Sequence, residues 1–365
     1  RWRVSHFEAV RLLGQCWLTE DYYHLVDVDP FGSAGRFTSA ALGAVTDGGL
    51  LYLTCTDGLA ASGRTPHIAL RQYGTFTAPV PFANEQGLRM LIGSAVMEGM
   101  RRRQAVEPLF SLFSPHGPVY RVMLRVHCRP ASDATQANIG FIAHYADEGH
   151  SEVVPFDRLG SIGSRAGDDN GCAALNGQCL EEDTSRSSPM VCGPMWTGPL
   201  HCQQMIARMQ EEAEERGWQG LSTELSSNAT AGSPKHKRWA LEDVLAVMHE
   251  EADPRLRPGH LNVSDVSRVG RLSGTPSCGN LILALKEEGY AAARCHITTR
   301  GFHTSASLGE VVAVARRRLT PAQAQPCPAA APAGAGPSSH GSHRQQEQRL
   351  LHRAWRRVVS LFSPS

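Results

Sequence analysis

Within this 365-residue chain, the stretch from Tyr22 to Thr54 most constrains the fold. Tyr22 to Val28 is a short, mostly apolar run that stops at Asp29-Pro30. Leu50 to Thr54 is a second run, bounded by Gly48-Gly49 and Asp57-Gly58. Apolar runs of this length between turn residues read as buried strands. Between them, Phe37 to Val45 spaces apolar residues at helical intervals, so the stretch predicts strand, loop, helix, strand. Strands joined by a helical crossover lie parallel. The fold class expected is therefore α/β, opening with part of a Rossmann-like unit.

Asn84 to Arg103 predicts a longer helix. Leu88, Leu91, Ile92, Ala95 and Val96 form its apolar stripe, and Asn84 is placed to cap its first turn. Glu107 to Leu112 and Val119 to His127 then read as two strands. They are joined by the turn Ser114-Pro115-His116-Gly117-Pro118, an antiparallel hairpin that would close the sheet. Pattern fades near residue 130, which sets a first domain at 1–130 and a second, α/β domain at 131–319.

In the second domain, Leu200 to Arg216, Ala240 to Glu251 and Gly279 to Glu288 predict helices, and Ala291 to Thr298 a strand. Polar inserts are expected at 147–188 and 222–237. From Pro321 to His343 the sequence reduces to Pro, Ala, Gly, Ser and His with little else to bury. Residues 320–365 are accordingly read as a disordered linker with a basic tail.

Charge narrows the partners. Lys plus Arg number 36 against 35 Asp plus Glu, so any nucleic-acid footprint must be local. Local basic runs occur at Arg101 to Arg103, at Lys235 to Arg238, at Arg316 to Arg318, and at Arg353, Arg356 and Arg357. Each run taken alone is more often a solvated face than a phosphate clamp. No run approaches the ~20 apolar residues a membrane span needs, so no membrane association is expected, and no obligate protein partner is evident.

The 10 cysteines lack regular short spacing, which argues for a reducing compartment. An intracellular location is expected, the nucleus first, with mitochondrion or plastid as alternatives. The chain opens on Arg1 without a readable leader.

The candidate site is Asp27-Val28-Asp29-Pro30-Phe31-Gly32, at the end of the first predicted strand. Open α/β sheets form ligand crevices at such strand ends. Alone, an Asp-Pro-x-Gly run is more often a plain turn. An amine-methylating site nevertheless suits these residue types. An exocyclic amine is a poor nucleophile, because its lone pair is delocalised into the base. A carboxylate with an adjacent backbone carbonyl can accept both N–H groups and aim the lone pair. Asp29 and the Pro30 carbonyl fit that task, Phe31 offers a stacking face, and Gly32 permits close approach. A metal at Asp27 and Asp29 is disfavoured.

Residues 27 to 33 resemble the signature of the tRNA guanine-26 dimethyltransferases, an Asp-x-Asp-Pro-Phe/Tyr-Gly-Ser run. The resemblance continues in order through Ala44 to Leu51, Thr54-Cys55-Thr56-Asp57, Tyr73-Gly74 and Glu85 to Leu91. Further on, Gly193-Pro194-Met195-Trp196-Thr197-Gly198-Pro199-Leu200-His201 is similar to the family's Gly-Pro-Leu-Trp-x-Gly-Pro-Leu-His. Gly301-Phe302-His303-Thr304-Ser305-Ala306 is similar to its Gly-Phe/Ile-Lys-Thr-Asp-Ala, with His303 in place of Lys.

The resemblance implies a class I methyltransferase domain that uses S-adenosylmethionine, followed by a family-specific domain that holds tRNA. It implies transfer of one or two methyl groups to the N2 amine of guanine, at position 26. Glu8 and Ala9 fall where the family has the Asp-Ala that receives the adenine amine of the cofactor. Asp27 joins them as a cofactor contact, and Thr56 and Asp57 as further crevice residues. Lys235, Lys237, Arg238, Arg316 and Arg317 become the expected RNA contacts. The family's glycine-containing cofactor loop and ribose-binding acid fall upstream of Val4, so this chain is expected to lack them. The family's paired cysteines are also not reproduced: Cys172, Cys179, Cys192 and Cys202 are irregularly spaced, and no metal is expected. Two rival functions are methylation of another base's amine and a non-catalytic RNA-binding or tRNA-chaperone module.

Overall fold

A computed structural model describes residues 4–114, 117–146, 149–156, 158, 189–218, 220, 240–318 and 324–325. Most of the two polar inserts and nearly all of 320–365 lie outside these residues, together with Lys235, Lys237 and Arg238.

The chain enters through helix α1 (Ala9–Leu18) and strand β1 (Tyr23–Val28), then helix α2 (Gly35–Ala44) and strand β2 (Val45–Cys55). β1 and β2 pair in parallel, with Asp27 opposite Tyr52 and Val28 opposite Leu53. This is the expected strand, loop, helix, strand unit. Two short helices, α3 (Gly58–Ala61) and α4 (Pro66–Tyr73), lead to the long α5 (Ala83–Arg101). The hairpin β3 (Ala105–Ser114) and β4 (Val119–His127) then pairs antiparallel, from Ala105 opposite His127 to Ser114 opposite Val119. The sheet order is β1-β2-β4-β3. The expected hairpin does complete this sheet, with β4 lying between β2 and β3.

Asn84 does not cap α5. Phe82 occupies the cap position, and Asn84 Oδ1 accepts the Tyr120 hydroxyl at 3.3 Å. Burial around α5 extends beyond an apolar stripe to Glu85, Gln86 and Arg89, because further elements close over it.

Those elements begin with α6 (Asp133–Ala137), β5 (Ile139–Tyr145), β6 (His150–Val154) and β7 (Met190–Trp196). The three strands form an antiparallel sheet of order β6-β5-β7. Sequence patterning missed this sheet because β6 lies in polar sequence with two exposed positions. After α7 (Gln203–Glu215) and α8 (Leu241–Glu251) come β8 (Leu261–Asn262), α9 (Val263–Gly270), β9 (Thr275–Pro276), α10 (Cys278–Glu287), β10 (Ala292–Arg294), β11 (Gly301–Thr304), α11 (Leu308–Arg318) and β12 (Ala324–Gln325). β10, β11 and β8 make a third sheet, whose Phe302 packs with Val266, Leu285 and Val311 of α9, α10 and α11. Within the stretch read as a disordered linker, Ala324 and Gln325 pair with β9.

The sheet changes near residue 130, but the packing does not stop there. Ile139, Trp196, Leu200, Cys295 and Ile297 join the core formed by Val26, Leu51, Leu53, Leu91 and Leu124. On the other sheet face, Leu50, Tyr52 and Met123 pack with Met205, Ile206, Val244 and Met248 of α7 and α8. The later helices therefore supply one of the two layers that cover the first sheet. Truncating a fully buried member such as Leu51 to Ala would cost about 2–5 kcal/mol.

A buried polar hub ties α5 to the later segments. Arg89 donates to the carbonyls of Trp196 at 3.2 Å and Gly198 at 2.7 Å, and to Glu85 at 2.8 Å. Glu85 also accepts the backbone N–H groups of Gly259 and His260, each at 2.8 Å, and His260 Nδ1 at 2.9 Å. Glu251, at the end of α8, accepts His296 Nδ1 at 2.6 Å and the His296 backbone N–H at 3.1 Å. Burial opposes ionising Glu85, but His303, Arg89 and His260 outweigh it and hold the carboxyl well below its ordinary range.

Candidate active site

The parallel strands β1 and β2 end side by side, and the loop from Asp29 to Ala34 leaves the first of them. The Gly32 N–H donates to Thr56 Oγ1 at 2.7 Å, and the Thr56 N–H donates to the Gly32 carbonyl at 2.9 Å. This reciprocal pair clasps the loop to the end of β2. Gly32 adopts a φ of +80°, with open space where a Cβ would stand. That is the left-handed backbone conformation glycine adopts freely. Gly35 is tightly packed, because a Cβ there would meet the Gln72 carbonyl of α4. That contact seats the start of α2 directly behind the loop.

The clasp leaves Phe31 projecting, 92% exposed, with Asp29 also exposed and Pro30 half-buried. Strand alternation puts Asp27 on the same sheet face as its partner Tyr52. The register of β2 with β4 adds Thr54 and Arg121 to that face. Tyr52 is buried, and burial first of all pushes its phenol above the usual range. Nearby Arg121 opposes this, while Asp27 and Asp29 add to it. Tyr52 thus lies close enough to both carboxylates and to Arg121 to feel their charge, and sequence reading missed Tyr52 and Arg121. The alternation of Asp27 and Asp29 was visible, but the pairing that brings Arg121 across from Thr54 depends on a long-range register.

The other expected residues divide. Glu8 reaches the same end of the sheet by its ion pair with Arg36 of α2, at 3.1 Å. Its carboxylate also caps α1, accepting the Arg11 N–H at 2.9 Å. That bond, with lesser help from the Val10 N–H and then Arg36, holds its carboxyl below the ordinary range. Ala9 is the first residue of α1. Thr56 is occupied by the clasp, and Asp57 caps α3 by accepting the Ala60 N–H at 3.1 Å. Both residues shape the site through the backbone. Arg316 and Arg317 lie away from the loop, on α11. There Arg316 donates to the Gly270 carbonyl at 2.7 Å and Arg317 pairs with Glu288. Among the described residues, neither Asp27 nor Asp29 belongs to a group of three potential metal ligands. No helix of the described residues is long and apolar enough to cross a membrane.

The model of the family described as "N2,N2-dimethylguanosine tRNA methyltransferase" matches residues 3–316. The chain is similar to a protein of Methanothermobacter thermautotrophicus named tRNA (guanine(26)-N(2))-dimethyltransferase. The two are 28% identical over 291 residues, which cover 79% of this chain and 66% of that protein. A protein of the same name from Pyrococcus horikoshii is 27% identical over 305 residues, covering 83% and 66%. One from Caenorhabditis elegans is 24% identical over 320 residues, covering 83% and 55%. The chain thus spans somewhat less than two thirds of the length of these relatives. In fold it is similar to the structure of Trm1 from Pyrococcus horikoshii in complex with S-adenosyl-L-methionine. The TM-score is 0.62 at 22% identity, covering 85% of this chain and 70% of that one.

Proposed function

Since the chain belongs to the N2,N2-dimethylguanosine tRNA methyltransferase family, we propose that it transfers methyl groups from S-adenosylmethionine to the exocyclic N2 amine of guanine 26 in tRNA. The observation that carries this reading is the clasped loop. Two hydrogen bonds between Gly32 and Thr56 fix the backbone while Asp29 and Phe31 stay open to an incoming base.

Each residue then has a defined task. Phe31 stacks on the extruded guanine, whose amine is not accessible while the base is stacked in the RNA. The Asp29 carboxylate and Pro30 carbonyl accept the two amine hydrogens, which directs the nitrogen lone pair toward the methyl group. As the N–C bond forms and the methyl–sulfur bond breaks, positive charge grows on the nitrogen. Asp29 stabilises that charge and takes the departing proton. Proline contributes no competing N–H.

The donor fits the carboxylates at this end of the sheet. S-adenosylmethionine supplies an electrophilic methyl group and carries amine donors, which call for acceptors. Glu8 and Asp27 are exposed acids, and Glu8 retains acceptor capacity beyond Arg11 and Arg36. Glu8, Ala9 and Asp27 are the residues of this chain that would hold it.

The test is methylation of a tRNA transcript by Asp29→Ala, with tRNA affinity measured in parallel. Loss of methyl transfer with retained affinity supports the assignment. Retained transfer overturns it.

A further inference from the structure

The hub beneath α5 contains a group of side chains that the methyl-transfer reading does not use. His260, Cys295 and His303 are all buried, and one ligand atom from each lies within 4.8 Å of the others. We propose that His260, Cys295 and His303 bind a zinc ion, and that this ion fastens the loop before β8 and the strands β10 and β11 beneath α5.

The outward bonds of both imidazoles set their tautomers. His260 Nδ1 lies 2.9 Å from the Glu85 carboxylate, which can only accept, so Nδ1 carries a proton and Nε2 is the nitrogen left to the cluster, where an ion would replace its proton. His303 Nδ1 lies 3.3 Å from the Arg257 carbonyl, again an acceptor only. A metal-bound histidine characteristically donates its second N–H to a carboxylate or a backbone carbonyl, and these rings show one of each. His303 Nε2 is buried and makes no hydrogen bond.

Glu251 Oε1 stands 3.4 Å from His303 Nε2. There its carboxylate adds negative charge beside the three ligands, where a cation would be stabilised. One sulfur and two imidazole nitrogens suit a borderline-soft ion such as zinc better than the oxygen-seeking Mg²⁺ or Ca²⁺.

Charge agrees with the geometry. Glu85 and Glu251 are buried carboxylates, and among the described residues Arg89 is the only permanently charged cation paired with either. A divalent ion with a Cys295 thiolate would leave these five charges summing to zero. The neighbouring group of His201, Glu251 and His296 is a poorer ligand set. The Ser111 N–H donates to His201 Nδ1, so His201 Nε2 carries a proton and points it at Glu251. His296 Nδ1 already bonds the same carboxylate at 2.6 Å.

With all three side chains buried, the ion would enter as the protein folds. The full chain, freed of metal and titrated with Co²⁺, should show thiolate-to-cobalt charge transfer and tetrahedral visible bands that zinc displaces. Cys295→Ser should remove the charge-transfer band and weaken zinc binding by about tenfold or more. His303→Lys should do likewise while keeping a buried cation beside Glu85 and Glu251. Cys295 is fully buried, so X-ray absorption on the zinc-loaded unmutated chain gives a reading independent of how Cys295→Ser folds, expected to show one sulfur and two imidazole nitrogens. No charge-transfer band in the unmutated chain overturns the proposal. So does a band that persists in both variants, or a shell holding no sulfur or several.

Discussion

The strand-end loop and the buried hub hold the chemistry-bearing residues of this protein, and they are built in opposite ways. Residues 27 to 32 are contiguous, and their side chains are left open by a backbone clasp. The hub draws Glu85, Glu251, His260, Cys295 and His303 from separate segments and buries all five. In the loop, position comes from one backbone–backbone bond and one from the Gly32 N–H to the Thr56 hydroxyl, so the side chains of Asp29 and Phe31 can be changed without unfolding the protein. In the hub, side chains hold one another, so a change to one is felt as stability.

The sharpest way to break this comparison is Glu85→Ala. It strands Arg89, His260 and two backbone donors in the interior, and losing one partner of a buried pair costs about 3–5 kcal/mol. Denaturant unfolding should show that loss. The pH dependence has a definite sign. The folded-state pKa of Glu85 is held well below its ordinary 4.5, so its stabilisation is fully present above that value and is lost as the pH falls through the lowered one. Glu85→Gln should flatten the acid limb of the stability curve, and an unchanged acid limb would remove Glu85 from the hub's energetics.

Asp29→Ala is the counterpart in the loop, since it should cost activity and not stability. Removing a group that stabilises developing charge typically slows the chemical step by about 10²–10³-fold. The midpoint of unfolding should stay near that of the unmutated chain, because Asp29 is exposed. A large drop in stability would show that the loop is not independently clasped. Phe31→Ala tests the same point more gently. Loss of one base-stacking ring costs about 1–3 kcal/mol, expected as weaker productive binding of tRNA with the unfolding midpoint unmoved.

What the sequence made legible follows the same division. The β1–α2–β2 unit and the β3–β4 hairpin were readable because their apolar periods and turn residues are local, and so was the loop between β1 and α2. The β6-β5-β7 sheet was not, because β6 offers only one buried residue. The hub was invisible for a further reason. Glu85 appears as one acid in a helix and Cys295 as one irregular cysteine, and only tertiary packing sets them near His260 and His303. Tyr52 and Arg121 were missed similarly, since their closeness to Asp27 and Asp29 depends on the pairing of β2 with β4.

The smallest expected effect concerns a surface where a local cationic run has partners of its own. Arg316 to Arg318 read in sequence as a cationic run, yet Arg317 and Arg318 both pair with Glu288 and Arg316 is bonded to the Gly270 carbonyl. Arg317 is more than half exposed, so its ion pair is worth about 0–1 kcal/mol, and Arg317→Ala should barely move the unfolding midpoint. The informative measurement is the salt dependence of tRNA binding. A phosphate contact would lower the slope of log affinity against log salt by about 1, whereas a guanidinium already neutralised by Glu288 would leave it unchanged. An unchanged slope is expected. A reduced slope would mean that tRNA displaces Glu288, and Glu288→Gln should then strengthen binding by freeing both arginines.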